Sequence, residues 1–193
     1  MRVTQDDSRE NEQIKIFNLK PLQGRSNKYI PDASVVVDGE EYFIELKTSD
    51  IAKKQVSTAR NVTLNKIKEW KRVVWIFSQY QKTATGFVFT GEHYLAFGED
   101  LEPWFQKQRD KINNGTPTYA GLADWESIKK YLPEGKFSGK IQKLDNSFRK
   151  KGCGLNDPKI SWKHVAECSI KVNSDELPTH LRRILKKGRK NES

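Results

Sequence analysis

Cysteine, histidine and methionine are scarce in this chain of 193 residues, which has two cysteines, three histidines and one methionine. Cys153 and Cys168 suggest neither a disulfide framework nor a zinc pattern, so we expect two unpaired thiols in a reducing cytoplasm. No run of residues is long and apolar enough to cross a membrane, and we expect no signal peptide. The sequence therefore argues against a disulfide-rich secreted protein and a membrane protein, and predicts a cytoplasmic one.

Acidic residues are also outnumbered, since 25 Asp and Glu stand against 35 Lys and Arg and give a net charge of +10. This excess predicts an anionic partner, most simply nucleic acid, although charge that serves solubility alone is the alternative. A hydrophobic content of 35% is enough for a core of ordinary size. We expect a single domain over 1–193, with a basic amphipathic helix over about 178–190 as an appendage.

The stretch Pro31–Thr48, PDASVVVDGEEYFIELKT, is predicted to form a β-hairpin. Apolar runs lie on both sides of Asp38-Gly39, a dipeptide that favours a type I′ turn. If those two residues form the loop, Asp32 faces Glu45 across the hairpin, and Lys47 lies on the same face. A bulge or a three-residue loop would instead move one carboxylate to the opposite face.

Opposed carboxylates at Asp32 and Glu45 repel each other, and burial makes both charged forms less favourable. A divalent cation removes that conflict, and the two carboxylates with the Leu46 carbonyl and waters would form an oxygen site suited to Mg²⁺. Lys47 could then orient or deprotonate a water, or balance the charge of a phosphate. The alternative interpretation is an edge hairpin whose charges are solvated.

A polar segment without apolar periodicity follows the hairpin and runs to Asn61. Its donors and acceptors suit base edges, because Arg pairs with guanine, Asn with adenine, and Ser or Thr with either. The alternative is a solvated connection in which Asn61 caps the next helix.

The remaining patterns predict a mixed sheet with flanking helices, and hence an α/β or α+β fold. Helices are predicted at 6–19, 61–71, 101–112, 124–132 and 178–190, and strands at 73–77, 83–90, 92–97, 140–144 and within 160–172. The strand at 73–77 is continuously apolar, so we expect a central strand that is covered on both faces. A turn at Gln81-Lys82 is predicted to join it to the next strand. Glu10 or Glu12 of the first helix could reach the carboxylate pair, although an exposed carboxylate is the simpler expectation for each.

The spacing of Pro31-Asp32 and Glu45-Leu46-Lys47 resembles the motif of the PD-(D/E)XK nuclease superfamily. The stretches IELKT, STARN, VVWIFSQY and LNDPKISWKHV also resemble, in that order, stretches of PvuII-like type II restriction endonucleases. The resemblance implies a prokaryotic, Mg²⁺-dependent homodimer that hydrolyses phosphodiester bonds of double-stranded DNA at a short palindromic site.

The resemblance also implies residue roles. Asp32 and Glu45 match the metal-ligand carboxylates, and Lys47 matches the catalytic lysine. Two segments match base-reading elements, and the DNA-contacting residues expected from them are Ser57, Thr58, Arg60, Asn61, Asn156, Asp157 and Lys159. The family carries histidines in the first of these segments and this chain does not, so we expect a different recognition sequence. The region before Asp32, which helps to form the dimer in the family, is shorter here, which makes the C-terminal helix a candidate dimer interface.

Two other functions fit the same residues. A structure-selective nuclease of the superfamily, such as a Holliday-junction resolvase or a mismatch nicking enzyme, shares the catalytic trio but needs no dense base-reading loop. A DNA-binding module without activity could also retain the carboxylates, although the intact trio argues against it.

Overall fold

A computed structural model describes residues 5–22, 31–59, 62–115, 155 and 157–188, with the backbone alone for 5–7, 113–115 and 183–188. Its helices are α1 (Gln5–Ile16), α2 (Leu64–Trp70), α3 (Glu102–Gly115), α4 (Trp162–Cys168) and α5 (Leu177–Gly188). Its strands are β1 (Lys20–Pro21), β2 (Ala33–Val37), β3 (Glu40–Asp50), β4 (Gln55–Ser57), β5 (Val74–Thr83), β6 (Gly86–Phe97), β7 (Lys159–Ser161) and β8 (Ile170–Lys171). A 3₁₀ turn spans Gly98–Leu101.

Six of these strands form one mixed sheet in the order β1-β2-β3-β5-β6-β8, and β4 pairs with β7 in a second, two-stranded sheet. Strands β3 and β5 are parallel, and the other neighbours are antiparallel. The predicted α/β (α+β) class is therefore confirmed. Because β3 and β5 run in the same direction, their carboxyl ends meet at one edge of the sheet.

The predicted hairpin register is confirmed by the pairing of β2 with β3. Val37 pairs with Glu40, and the ladder continues to Ala33 and Ile44. Asp38 and Gly39 both have positive φ angles, of 54° and 84°, as a type I′ turn requires. The two-residue loop therefore sets which side chains of β3 share a face with Asp32.

Two apolar layers cover the sheet, and β5 contributes to both. Trp75 and Phe77 point into a layer under α2 and α3, whereas Val74 and Ile76 point into a layer under α1 and α5. All four are buried, which confirms the predicted central strand. The first layer also contains Val56, Ile67, Trp70, Trp104, Phe105 and Ile160, and the second also contains Phe17, Leu19, Ile44, Leu46, Leu177 and Leu181.

The predicted turn at Gln81-Lys82 was wrong, because β5 continues to Thr83, which pairs with Gly86 across a loop of two residues. The last β3 residue in register with β5 is Asp50, opposite Tyr80, so the end of the β5–β6 hairpin extends beyond β3. The last residues of β5 are therefore exposed and polar, and this polarity led to the prediction of a turn. The strand predicted at 92–97 is the second half of β6.

The strand region predicted within 160–172 was also wrong over most of its length. After β7 the chain turns into α4, where the Ser161 hydroxyl accepts a hydrogen bond from the His164 amide at 3.1 Å. This N-cap starts a helix that the polar-apolar alternation did not indicate. The helix predicted at 124–132 and the strand predicted at 140–144 lie outside the described residues.

The basic C-terminal helix, α5, packs against the β2–β3 hairpin. Leu177 and Leu181 are buried in the second apolar layer, and the Tyr42 hydroxyl donates to the Leu181 carbonyl at 3.4 Å. Arg182 binds the turn residue Asp38, with Nε 2.9 Å from Oδ2. This apolar face of α5 is therefore used inside the chain. No helix in the described part of the chain is long and apolar enough to cross a membrane.

A buried polar cluster joins α1 to the centre of the sheet. Gln13 donates through Nε2 to the Ser78 hydroxyl at 2.7 Å, and His93 Nδ1 lies 2.8 Å from the same oxygen. The rings of Phe17 and Phe89 pack on His93, with centroids 5.1 and 5.9 Å away. Burial lowers the pKa of His93 below its ordinary value of 6.5, although the charge of Glu92 opposes the shift.

We predict that His93 makes the fold less stable in mild acid. A histidine with a depressed folded-state pKa contributes its full stability above the unfolded pKa of 6.5 and loses it as the pH falls toward the folded pKa. The measurement is the free energy of unfolding by urea from about pH 7.5 to about pH 5.5. The His93→Gln variant, which keeps a polar group beside Ser78, should show a flatter pH dependence. An equal slope in both proteins would contradict the prediction.

Candidate active site

Asp32, Glu45 and Lys47 meet at one point. The Lys47 ammonium lies 2.7 Å from Glu45 Oε1 and 3.5 Å from Asp32 Oδ2, and it donates a hydrogen bond to the Leu46 carbonyl at 2.8 Å. Glu45 is 3% exposed, and the Lys47 side chain is 11% exposed. The three side chains that the sequence placed on one face therefore form a largely buried cluster of charges.

Asp32 reaches this cluster because it lies just outside the β2–β3 ladder, whose last pair is Ala33 with Ile44. Its amide still donates to the Ile44 carbonyl at 3.0 Å, but its carboxylate accepts the Leu46 amide at 2.7 Å. The side chain thus takes the position that a strand carbonyl would otherwise occupy, which directs Oδ2 toward Lys47. Asp32 approaches Glu45 through its side chain rather than as a paired residue of β2.

The charges in this cluster shift one another. Burial and the nearby Asp32 carboxylate raise the pKa of Glu45 above its ordinary value of 4.5, and Lys47 opposes the shift. Burial alone would lower the pKa of Lys47, but the Glu45 and Asp32 carboxylates outweigh it and raise that pKa well above its ordinary value of 10.5. The 2.7 Å contact is a charge-assisted hydrogen bond, so Lys47 is an ammonium ion here.

The donors around this ammonium are those expected of a Mg²⁺ site. Two carboxylates and one main-chain carbonyl converge on a single positive atom, and all are the hard oxygen ligands that Mg²⁺ prefers. No group of three or more His, Cys, Asp or Glu that could hold a metal occurs among the described residues, so the third protein ligand would be the Leu46 carbonyl. The Lys47 ammonium stands where a cation would neutralise Asp32 and Glu45, and the residues present fit the ion.

Helix α1 contributes Glu10 to the surroundings of the cluster. The negative charge of Glu10 is among the causes that raise the pKa of Lys47. Glu12, by contrast, lies on the exposed side of α1, where its Oε2 is 3.5 Å from Lys15 Nζ. Of the two carboxylates considered from the sequence, Glu10 is the one that acts electrostatically on the site.

The two segments predicted to read DNA lie side by side, because β4 pairs with β7. Ser57 is in register with Lys159, and the Lys159 ammonium binds both the Ser57 hydroxyl and the Asp157 carboxylate. Arg60, Asn61 and Asn156 lie outside the described residues. DNA contact by any of these residues stays a prediction, but the fold brings Ser57, Asp157 and Lys159 to a single surface.

Asp157 holds these two segments together. Its backbone is left-handed, with φ of 51°, its Oδ1 accepts the Thr58 amide at 3.0 Å, and its own amide donates to the Ala59 carbonyl at 2.9 Å. The Thr58 side chain is buried, and its hydroxyl donates to the Pro158 carbonyl at 2.6 Å. Thr58 and Asp157 therefore have a structural role within the chain.

A polar cavity of about 360 Å³ opens beside these segments. Its walls come from α1, from β3 directly after Lys47, from β4 and β5, and from the turn at Asp157; among them are Arg9, Thr48, Ser49, Lys53, Thr58 and Tyr80. Arg9 and Tyr80 were missed from the sequence. They are 71 positions apart in the chain, and although Tyr80 ends the stretch VVWIFSQY, the sequence assigned a site role to neither.

No protein-family model matches the chain, and no curated protein matches it.

We predict that Asp157→Ala separates β4 from β7, whereas Asp157→Asn largely does not. Alanine removes the acceptor for the Thr58 amide and is strained at a positive φ, while asparagine keeps an acceptor and tolerates that conformation. The alanine variant should lose about 2 kcal/mol of unfolding free energy and the asparagine variant less than about 1 kcal/mol. Equal losses in urea unfolding would show that the Thr58 contact does not hold the segments.

We also predict that Lys47→Met binds Ca²⁺ more tightly than the wild-type chain does. The ammonium competes for the oxygens of Asp32, Glu45 and Leu46, so its removal should strengthen binding by about tenfold, or ~1.4 kcal/mol. Isothermal titration calorimetry measures the affinity. Lys71→Met is the matched control, because Lys71 pairs with Glu102 away from this cluster. Unchanged or weaker Ca²⁺ binding by Lys47→Met would place the cation elsewhere.

Proposed function

We propose that this protein is a Mg²⁺-dependent type II restriction endonuclease that hydrolyses phosphodiester bonds of double-stranded DNA at a short palindromic site. The observation that carries the proposal is the convergence of Asp32, Glu45 and the Leu46 carbonyl on the Lys47 ammonium. This set combines a hard-oxygen cation site with a fixed positive charge, which is what phosphodiester hydrolysis requires.

Asp32, Glu45 and the Leu46 carbonyl would hold the ion. When bound, Mg²⁺ supplies positive charge against the phosphate and favours the loss of a proton from water. The Lys47 ammonium, 2.7 Å from Glu45 Oε1, is placed to donate a hydrogen bond to a phosphate oxygen and to offset negative charge that builds up there.

The surroundings of the trio support duplex DNA as the substrate. The net charge of +10 favours a polyanion. Strand β4 follows the trio along the chain, and its pairing with β7 brings Ser57 beside Lys159. Direct readout needs such a cluster of polar side chains beside the cutting site. Cleavage of both strands of a palindrome calls for two trios, and hence for a homodimer.

We predict that Glu45→Gln abolishes DNA cleavage but not DNA binding. Glutamine keeps the shape of Glu45 and removes the charge that a cation needs, so plasmid cleavage in Mg²⁺ should fall by at least about 10³-fold. Duplex affinity measured in Ca²⁺ should change by less than about threefold. Glu92→Gln is the control, since Glu92 pairs with Lys171 at the far edge of the sheet and its loss should leave cleavage unchanged.

The same assay decides among the candidate activities. Discrete plasmid fragments support a restriction endonuclease, and resolution of a four-way junction alone supports a structure-selective nuclease. Binding without cleavage supports a DNA-binding module. Full cleavage by Glu45→Gln would remove Glu45 from the catalytic site.

A further inference from the structure

We propose that the cavity beside Lys47 is a second phosphate subsite, in which Arg9 binds the DNA phosphate next to the one that is cut. This inference rests on the proposed nuclease function and adds a residue that no sequence motif assigns. Its basis is the way in which the fold holds Arg9.

The Arg9 guanidinium is fixed by Tyr80. Its central carbon lies 4.6 Å from the centroid of the Tyr80 ring, and one terminal nitrogen donates to the Tyr80 hydroxyl. A cation–π contact holds a guanidinium at an aromatic ring, and the planar fork of N–H groups of a guanidinium matches the oxygens of a phosphate. Arginine held in this way loses little entropy on binding a phosphate.

The chemistry of the cavity favours an anion. Arg9 and Lys53 both line it, whereas the one carboxylate among its described lining residues, that of Asp157, is paired with the Lys159 ammonium. The hydroxyl-bearing residues Thr48 and Ser57 also lie in its wall. A volume of about 360 Å³ exceeds that of a bare anion and accommodates part of a sugar-phosphate backbone.

The position of the cavity identifies which phosphate it would hold. Thr48 and Ser49, the residues directly after Lys47 in β3, form part of its wall. A strand rises about 3.3 Å per residue, so this wall begins within about 7 Å of Lys47 along the strand. Ser49 shares the face of Lys47, whereas Thr48 and Tyr80 point from the opposite face, so the cavity lies at the carboxyl edge of the two strands. A backbone bound at the trio and continuing over this edge would present its neighbouring phosphate to Arg9.

The test is the salt dependence of duplex binding in Ca²⁺. Each phosphate contact contributes about 0.9 to the slope of log affinity against log salt, so Arg9→Gln should reduce that slope by about 0.9 and weaken binding by about tenfold. Arg9→Lys, which keeps the charge, should preserve the slope. Arg109→Gln is the matched control, since Arg109 pairs with Glu102 on α3 and should leave both quantities unchanged.

A purely structural role for Arg9 gives a different result. Arg9→Gln would then lower the melting temperature and weaken binding without a change of slope, and that outcome would overturn the subsite. If wild-type protein binds and cuts DNA but Arg9→Gln has the wild-type slope of log affinity against log salt, the subsite is overturned and the proposed function is not. Wild-type protein that neither binds nor cuts duplex DNA overturns the proposed function as well.

A duplex in which one phosphate is replaced by an uncharged methylphosphonate tests which phosphate Arg9 contacts. Once plasmid fragments give the cut sequence, a duplex with one methylphosphonate next to the cut should bind wild-type protein about as weakly as Arg9→Gln binds the unmodified duplex. The variant should not distinguish the two duplexes, because the contact is already lost. Equal sensitivity of both proteins to the methylphosphonate would overturn the assignment of Arg9 to that phosphate.

Discussion

The ion pair between Lys47 and Glu45 is the interaction on which the arrangement of the site depends. Glu45 is buried beside a second carboxylate, Asp32, and the positive charge of Lys47 between them offsets the repulsion of the two charges. Removal of one partner from a buried ion pair costs about 3–5 kcal/mol, because the other charge is left without compensation. Lys47 therefore holds the oxygens of both carboxylates around one point, which is the arrangement that a divalent cation would take over by displacing the ammonium.

The geometry of β3 connects this ion pair to the rest of the proposed substrate path. Glu45 and Lys47 point from one face of the strand, Thr48 and Ser49 follow into the cavity, and the chain then enters β4. Because β5 runs parallel to β3, Tyr80 of β5 lies beside Asp50 at the same edge of the sheet. One strand thus sets the distances between the proposed cutting centre, the proposed phosphate subsite and the proposed reading surface.

Local chemistry explains which features could be predicted from the sequence. Asp38-Gly39 determines the hairpin register through its own backbone preference, so the meeting of Asp32, Glu45 and Lys47 follows from residues close together in the chain. The clamp between Thr58 and Asp157 spans 99 positions, and its partners are selected by tertiary packing. The same applies to Arg9 on Tyr80. Helix α4 is a different case, because its Ser161 cap is a local signal but the alternating pattern of the segment favoured a strand. Helix and strand propensities depend on the residues of a segment, so they do not show which other segments it packs against.

Helix α1 is the third element of the site, although no motif lies on it. Arg9 faces the cavity, Glu10 acts on the charge of Lys47, and Gln13 Nε2 lies 3.4 Å from the Lys47 carbonyl. Arg9 and Gln13 are four positions apart and so lie on the same face of the helix, and Gln13 is anchored beneath the sheet by Ser78. A shift of α1 would therefore move the arginine of the proposed phosphate subsite and the support of the Lys47 backbone together. The hydrogen bonds of the buried Gln13–Ser78–His93 cluster thus position the helix that carries Arg9, in addition to stabilising the fold.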